Sequence, residues 1–200
     1  MCAKSGNCKS RLSRQCGLSL IELVVFIVIV SVSIAGIFLV LNKVTRTSAD
    51  PVARKQALAI AESLLEEIEL MPFTYCDTND ANVATATGAF VGAGGCATTV
   101  QGLVPTGGET RYSTTSPFDN VGDYGGFTMN SGNGGIKDIT GAVFAALNAY
   151  SASVTVVQEA FGGITNSTAS LRITVTVTGP GNTTVTLDGY RTQYAPNATQ

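Results

Sequence analysis

One uninterrupted apolar stretch near the N-terminus constrains this chain more than any other feature. It runs for 24 residues, from Leu18 to Leu41, and carries a single charge, that of Glu22. A helix of that length is about 36 Å long, which is enough to cross a hydrocarbon core of about 30 Å. We therefore expect the stretch to span a membrane. A carboxylate is costly in that environment, so we expect Glu22 to have a partner.

An apolar N-terminal stretch has two ordinary explanations. A secretory signal peptide has an apolar core of roughly 7 to 15 residues followed by a small-residue cleavage site, and this stretch is longer and lacks such a site at its far end. A plain signal anchor fits the length, and it accommodates Glu22 if the side chain reaches back to the cytoplasmic interface.

A third interpretation uses more of the residues. A basic leader ends at Gly17, a small polar residue, Ser19, follows two positions later, and Glu22 stands near the start of an unbroken apolar helix. This arrangement resembles the N-terminus of type IV pilins and pseudopilins. The resemblance implies that a prepilin peptidase cuts after Gly17 and methylates the new N-terminal amine of Leu18. The family usually has Phe or Met at this first mature position, where this chain has Leu18.

The same resemblance implies a role for Glu22 in assembly, where it meets the N-terminal amine of a neighbouring subunit. The physics supports such a pair, because an unpaired carboxylate in a low-dielectric helical bundle is heavily penalised and one paired with an ammonium is not. A subunit in the wrong axial register would leave both charges unpaired. The pair therefore specifies the stagger between subunits more than it adds affinity.

The charge balance argues against a nucleic-acid partner. The chain has 12 basic and 14 acidic residues and a formal net charge of −2. Four of the basic residues lie in the leader, residues 1–17, so its removal leaves a mature chain near −6. No basic region remains that would hold a phosphate backbone. Basic residues also flank the apolar stretch on both sides, so charge alone leaves the membrane orientation open.

Cysteine content indicates the compartment. The five cysteines form no even framework in the precursor, but cleavage after Gly17 removes three of them and leaves Cys76 and Cys96. This pair can form a disulfide worth about 3 kcal/mol in the chain-entropy model. A disulfide indicates an oxidising compartment, so we expect the C-terminal domain to lie in the periplasm or beyond. Two unrelated reduced thiols are the alternative.

Beyond the apolar stretch, the sequence predicts a second, amphipathic helical segment. The stretch Ser48-Ala49-Asp50-Pro51 offers a capping side chain followed by Pro at the first helical position, and Pro72 ends the segment. Because the helical pattern resumes at once, we expect a kink or a short break at Pro51. The run of Glu in residues 64–69 predicts a solvated face, or else an acidic stripe that meets a basic patch on a neighbour. Apolar residues recur at spacings of three and four: Ala53, Ala57, Ile60, Ala61, Leu64, Ile68 and Met71.

The segment from Tyr75 to Gly135 is rich in Gly, Thr, Ala and Asn and predicts mostly loop, tethered by the cysteine pair. Its Gly-rich run at residues 92–95 lacks the Lys-Ser/Thr and the strand-to-helix context of a phosphate-binding loop. We expect a structured loop at residues 119–127, with Phe118 and Tyr124 packed against a sheet.

Two acidic clusters lie in this loop segment. Oxygen-rich loops suit Ca²⁺, but neither cluster has the EF-hand spacing or its terminal Glu. Turn formation is the favoured interpretation, and no metal site is predicted. The clusters are Asp77, Asn79 and Asp80 in the first and Asp119, Asn120 and Asp123 in the second.

The end of the chain predicts β-strands. Residues 151–159 alternate between apolar and polar, and residues 171–178 do so cleanly, with Leu, Ile and two Val on one face. A turn at residues 179–182 leads to a returning strand within residues 183–194. The result is an antiparallel meander of at least three strands whose apolar face needs a cover, and the amphipathic helix is the long candidate. Residues 139–150 are ambiguous between a short helix and a strand.

These expectations define an α+β fold of the type IV pilin kind, in which a long N-terminal helix, kinked or broken near Pro51, packs on an antiparallel β-sheet. We expect a leader peptide at residues 1–17, a transmembrane or filament-core helix at 18–41, an amphipathic helix at 42–72, and a β-rich head with a disulfide-closed loop at 73–200.

A second resemblance spans most of the chain and is less specific than the leader motif. It is to minor pilins of the mannose-sensitive haemagglutinin (MSHA) group, and it rests on the phrases ADPVARKQALAIAESLLEEI, PFTYCD, PFDN, YSASV and LDGYRTQYAP. The resemblance implies an accessory subunit of a surface filament for adhesion, whose partners are other pilin subunits, the prepilin peptidase, the membrane before assembly, and an inner-membrane platform with an ATPase.

Two other functions are compatible with parts of the sequence. A pseudopilin of a type II secretion or DNA-uptake system shares the leader and the helix. A membrane-anchored periplasmic enzyme is the more distant alternative, since the chain has no His, and no Ser or Cys stands beside a base. We expect no enzymatic activity and no cofactor.

Overall fold

The computed structural model describes residues 19–199, apart from the side chains of residues 44–50. One helix, α1, extends over Leu20–Leu70 and continues through Pro51 without a break. The described residues divide into two units, with the boundary between Thr47 and Ser48. The predicted leader, residues 1–17, and Leu18 lie outside the described residues.

The described part of the first unit is helical and presents apolar side chains to its surroundings. The stretch Leu20–Lys43 is the one described helix that is long and apolar enough to cross a membrane. Its two polar hydroxyls turn back onto the helix, because Ser31 Oγ donates to Ile27 O and Ser33 Oγ donates to Ile29 O. Such bonds remove the need for an outside partner at these two positions.

The second unit contains a four-stranded antiparallel sheet with the order β1-β2-β3-β4. Its strands are β1 at Thr128–Met129, β2 at Ser151–Gln158, β3 at Ser170–Gly179 and β4 at Thr183–Thr192. The turn between β3 and β4 uses Gly181 and Asn182 with φ of 67° and 60°, a left-handed conformation that these two residue types tolerate. The predicted meander is confirmed, with β1 as an additional short strand.

The core of the second unit lies between the C-terminal part of α1 and one face of the sheet. The strands contribute every second residue to this core, as the alternation of apolar and polar residues predicts. This arrangement confirms the α+β, pilin-like fold. The helix residues Ala57, Ala61, Leu64 and Ile68 are buried in one cluster with the strand residues Val154, Val156, Leu171, Ile173, Val175, Val177 and Val185.

The segment from Tyr75 to Gly135 is mostly irregular, as predicted. Apart from β1, it is built from turns, isolated bridges and two short 3₁₀-helices, Val121–Tyr124 and Ser131–Asn133. Phe118 and Tyr124 are buried against the core, which confirms that prediction. The ambiguous residues 139–150 form neither a long helix nor a strand, and contain one 3₁₀ turn at Ala145–Leu147.

Candidate functional site

The first candidate site is the N-terminal part of α1. Glu22 lies in the first turn of the helix, where acidic side chains are favoured by the helix dipole, and its side chain is exposed in the isolated chain. Exposed apolar residues surround it, among them Leu20, Ile21 and Phe26. The predicted processing residues Gly17 and Leu18 lie outside the described residues. The exposed apolar surface with one acid is a surface that has to be covered, either by lipid or by other helices.

An ion pair between the buried Arg111 and the partly buried Glu67 ties α1 to the loop segment of the second unit. Arg111 donates from Nε to Glu67 Oε1 at 2.7 Å and from Nη2 to Glu67 Oε2 at 2.5 Å. Tyr124 Oη also donates to Glu67 Oε1, at 2.6 Å. Burial and the Glu67 carboxylate raise the pKa of Tyr124 above its ordinary value. The three side chains hold one another in fixed positions, which is a structural role.

The disulfide-closed loop is organised around Asp80. Cys76 and Cys96 form a disulfide with both side chains fully buried. The carboxylate of Asp80 accepts four backbone N–H bonds, from Asn82, Ala97, Thr98 and Thr99, at 2.8 to 2.9 Å. These bonds hold the pKa of Asp80 well below its usual range, and the bond from Thr99 has the largest effect. The predicted turn-forming role is therefore present at this residue.

The second candidate site is an acidic cluster in the same segment. One carboxylate oxygen each of Glu109, Asp119 and Asp123 lie within 4.8 Å of one another. The structure also brings the two predicted acidic clusters together, because Asn79 Nδ2 donates to Asp119 Oδ2 at 3.2 Å. Asp123 makes turn-forming bonds as well, accepting from Asn120 N at 2.8 Å and Asp119 N at 3.1 Å.

Simultaneous ionisation of all three carboxylates in the acidic cluster is electrostatically unfavourable. Burial, and then the charge of Asp123, raise the pKa of Glu109 to about 7. Burial also raises the pKa of Asp123, against the bonds that it accepts. Among the described residues, no Lys or Arg forms an ion pair with these carboxylates.

Sequence reasoning missed two of these features. The run of Glu in residues 64–69 predicts a solvated acidic face for Glu67, and the one sequence signal for its pairing is Arg111, the only basic residue between Lys55 and Lys137. Glu109 stands alone in a Gly- and Thr-rich loop, so no local pattern connects it with Asp119 and the other acids.

Comparison with known families identifies the N-terminal segment. A family model described as the prokaryotic N-terminal methylation motif matches residues 12–38. The match includes Gly17, Leu18 and Glu22 together with most of the apolar stretch. This motif is a type IV pilin-like prepilin signal, and it implies processing by prepilin peptidase and assembly with other pilins. Comparison with curated proteins and with solved structures returned no match.

Proposed function

We propose that this chain is a structural minor pilin of a type IV pilus of the MSHA kind. The observation that carries the proposal is the methylation motif at residues 12–38, joined to an α+β head with a pilin-like arrangement. A peptidase substrate of this kind needs a leader, a cleavable bond and an apolar helix, and the matched segment covers the end of the leader, the bond after Gly17 and most of the apolar stretch. The helix then becomes the element that assembles.

The more specific part of the proposal rests on the second resemblance of the sequence. Its phrases, among them ADPVARKQALAIAESLLEEI and LDGYRTQYAP, are similar to the D-type subunit of MSHA pili. That subunit is an accessory component, which implies few copies in the filament or a place at its tip. Adhesion is then a property of the filament to which the chain contributes.

The assembly pathway follows from the physical state of the helix. The processed protein waits in the inner membrane as a single-pass protein with its head in the periplasm, where the Cys76–Cys96 disulfide is stable. Extraction of an apolar helix from lipid is costly, so an assembly platform with an ATPase supplies the energy. In the filament, the residues exposed along Leu20–Leu41 exchange lipid for neighbouring helices, and Glu22 pairs with a neighbour's N-terminal amine.

The proposal assigns no enzymatic activity. A groove of about 690 Å³ lies beside the C-terminal part of α1, and its lining is mainly apolar. Glu67 and Arg111 line it, but each already bonds the other and neither is free to act as a base or a nucleophile. The groove therefore offers no support for catalysis.

Immunogold labelling of filaments sheared from the cell surface tests the proposal. An antibody raised against the head should label sparse positions along or at the end of the filaments. Mass spectrometry of the labelled fraction should find a chain that begins at Leu18 with an N-methyl group. Cells that lack the prepilin peptidase are the control, and they should yield neither the shortened chain nor any label.

Two results would contradict the proposal in different ways. A methylated chain that is absent from surface filaments but present in the periplasm would indicate a pseudopilin. A chain that still begins at Met1 in cells with an active peptidase would indicate a simple membrane-anchored domain.

A further inference from the structure

The disulfide lies in a small core of its own, separate from the core between α1 and the sheet. Cys76 and Cys96 are both fully buried in it. A thiol in solution can break a disulfide only by reaching one of its sulfur atoms. The residues that cover this small core therefore decide whether the disulfide can be reduced in the folded head. The residues packed around the two cysteines are Tyr75, Val83, Ala86 and Val100.

A turn at residues 82–86, which we call the lid, forms one part of this cover. Val83 and Ala86 of the lid pack in the small core. The turn is closed by Ala86 N, which donates to Asn82 O at 2.9 Å. Asn82 Nδ2 donates in turn to Gly95 O at 3.0 Å, next to the second cysteine. The lid thus lies against the disulfide and is bonded to the far end of the disulfide loop.

The lid is held from outside the disulfide loop by residues 195–198, which follow the last strand of the sheet and which we call the strap. Asn197 Nδ2 donates to Val83 O and to Ala86 O, at 2.9 Å each. These two bonds span 114 and 111 positions of the chain. One amide group of the strap therefore fixes both apolar residues of the lid.

A second contact joins the strap to the other side of the small core. Pro196 O accepts a hydrogen bond from Tyr75 N at 3.2 Å, and Tyr75 directly precedes Cys76. The strap is itself a turn, because Ala198 N donates to Ala195 O at 3.1 Å. The strap thus bonds to the chain on both sides of the disulfide.

The strap is less buried than the residues it covers. Ala195, Pro196 and Asn197 are partly exposed and Ala198 is exposed, whereas the two cysteines have no exposed surface. Segments with few buried contacts open locally at a lower free-energy cost than the core of a domain. Release of the strap would therefore loosen the lid while the sheet stays folded.

We propose that the strap controls the access of small thiols to the Cys76–Cys96 disulfide. While the strap is docked, the lid stays closed and the bond resists reduction. When the strap is released, a thiolate attacks one sulfur, the S–S bond breaks, and a mixed disulfide forms as the other cysteine leaves as a thiolate. The second thiol of a dithiol then displaces the first cysteine. Two electrons and two protons pass from the dithiol to the two cysteines, and the dithiol becomes a cyclic disulfide.

Reduction of the full mature chain by dithiothreitol, in detergent micelles and without denaturant, tests this proposal. From Leu18 onward the chain carries only Cys76 and Cys96. Trapping of free thiols with N-ethylmaleimide, followed by mass spectrometry, therefore measures the reduced fraction directly. Asn197→Ala should be reduced at least about five-fold faster than the wild type, because two hydrogen bonds no longer hold the closed state. Asn197→Asp should be faster still, because its carboxylate faces two carbonyl oxygens.

Asn166→Ala is the matched control. Asn166 is an exposed asparagine whose side chain also takes part in two hydrogen bonds, from Thr168 N at 3.1 Å and Thr168 Oγ1 at 2.8 Å, but both lie within its own turn. This variant should be reduced at the wild-type rate. Circular dichroism checks that each variant is folded, and urea denaturation gives its free energy of unfolding.

Three results would overturn the proposal, which does not depend on the proposed function. A wild-type rate of reduction in folded Asn197→Ala would show that the strap does not hold the lid. Equal acceleration in Asn166→Ala would show a general loss of stability. A rate that reaches a plateau at the global unfolding rate as dithiothreitol increases would show that the disulfide is reduced only in the unfolded chain.

Discussion

Arg111 and Glu67, 44 positions apart in the chain, form a bidentate ion pair between the loop segment and α1. The Arg111 side chain is 5% exposed and that of Glu67 is 17% exposed. Burial alone would lower the pKa of Arg111, but the hydrogen bonds to Glu67 outweigh it and the pKa is raised. The guanidinium also donates from Nη1 to the carbonyls of Lys137 and Asp138, so one side chain ties three parts of the head together.

Removal of one partner of this pair should be strongly destabilising. Arg111→Ala should lower the free energy of unfolding of the head by about 3 kcal/mol, the lower end of the range for buried pairs, because it leaves the partly buried Glu67 carboxylate without its counter-charge. Urea denaturation of the full chain in micelles, followed by circular dichroism, measures the change.

The pair of Arg172 and Glu159 provides the matched control. It has a similar distance, 2.6 Å, but its side chains are 34% and 42% exposed. Arg172→Ala should therefore cost much less unfolding free energy than Arg111→Ala does, because solvent screens an exposed pair. Equal losses for Arg111→Ala and Arg172→Ala would show that burial does not control the strength of these pairs.

The regular elements of the head could be predicted from sequence because each has a period. Ala57, Ala61, Leu64 and Ile68 recur at spacings of four and three and are buried together on one helix face. The alternation in residues 171–178 likewise places its apolar members inward in β3. A helix or strand can bury one face only if its apolar residues recur with the period of that element. The spacing of the apolar residues therefore predicts both the element and its buried face.

The irregular parts could not be predicted in the same way. The strand β1 has only the two residues Thr128–Met129, too few for any period. Glu67 lies among other acids on a helix, and its sequence neighbours do not distinguish it from them. Its inward orientation depends on the ion pair with Arg111, which is distant in sequence. The meeting of Asn79 with Asp119, across 40 positions, depends on how a long loop closes, which local residue preferences do not encode.

The disulfide should contribute stability mainly by restricting the unfolded chain. The double variant Cys76→Ala/Cys96→Ala should lose about 3 kcal/mol of unfolding free energy, because the loop between the two positions becomes free to open in the denatured state. Denaturation of wild type and variant under non-reducing conditions measures the difference. A loss below about 0.5 kcal/mol would contradict this account and indicate that the Asp80 hydrogen bonds hold the loop by themselves.

Asp80 should make the stability of the head depend on pH. Its pKa is lowered in the folded protein, so its contribution is fully present above its unfolded pKa, about 4, and is lost as the pH falls toward the folded value. The difference in unfolding free energy between wild type and Asp80→Asn should therefore be constant from pH 7 to about pH 5 and shrink at lower pH. Denaturation curves at several pH values test this, and a difference that grows on acidification would have the wrong sign.

Glu22 should affect assembly and leave processing intact. Glu22→Ala removes the carboxylate that we propose pairs with a neighbour's N-terminal amine, while the cleavage site at Gly17 is unchanged. The variant should yield a normal methylated chain by mass spectrometry but reduced label on sheared filaments. Glu62→Ala, another exposed acid on α1, is the control and should assemble normally. Wild-type incorporation of the Glu22 variant would count against the pairing role.

Gly125 marks a place where the loop segment packs backbone against backbone. It follows the 3₁₀-helix Val121–Tyr124 with φ of −63°, a value open to any residue, so the space around it decides what is tolerated. A Cβ at this position would overlap the carbonyl oxygen of Leu103, which belongs to a backbone that cannot rotate away as a side chain can.

Gly125→Ala should therefore cost about 1 to 3 kcal/mol of unfolding free energy through overpacking. Gly163→Ala is the matched control, because no atom lies within 4 Å of a Cβ built there. That variant should be neutral or slightly stabilising, since Ala restricts the unfolded chain more than Gly does. Thermal denaturation of both variants beside the wild type gives the comparison. A loss confined to Gly125→Ala would show that the backbone at Gly125 cannot move away from the Leu103 carbonyl, whereas equal stability of the two variants would contradict this account.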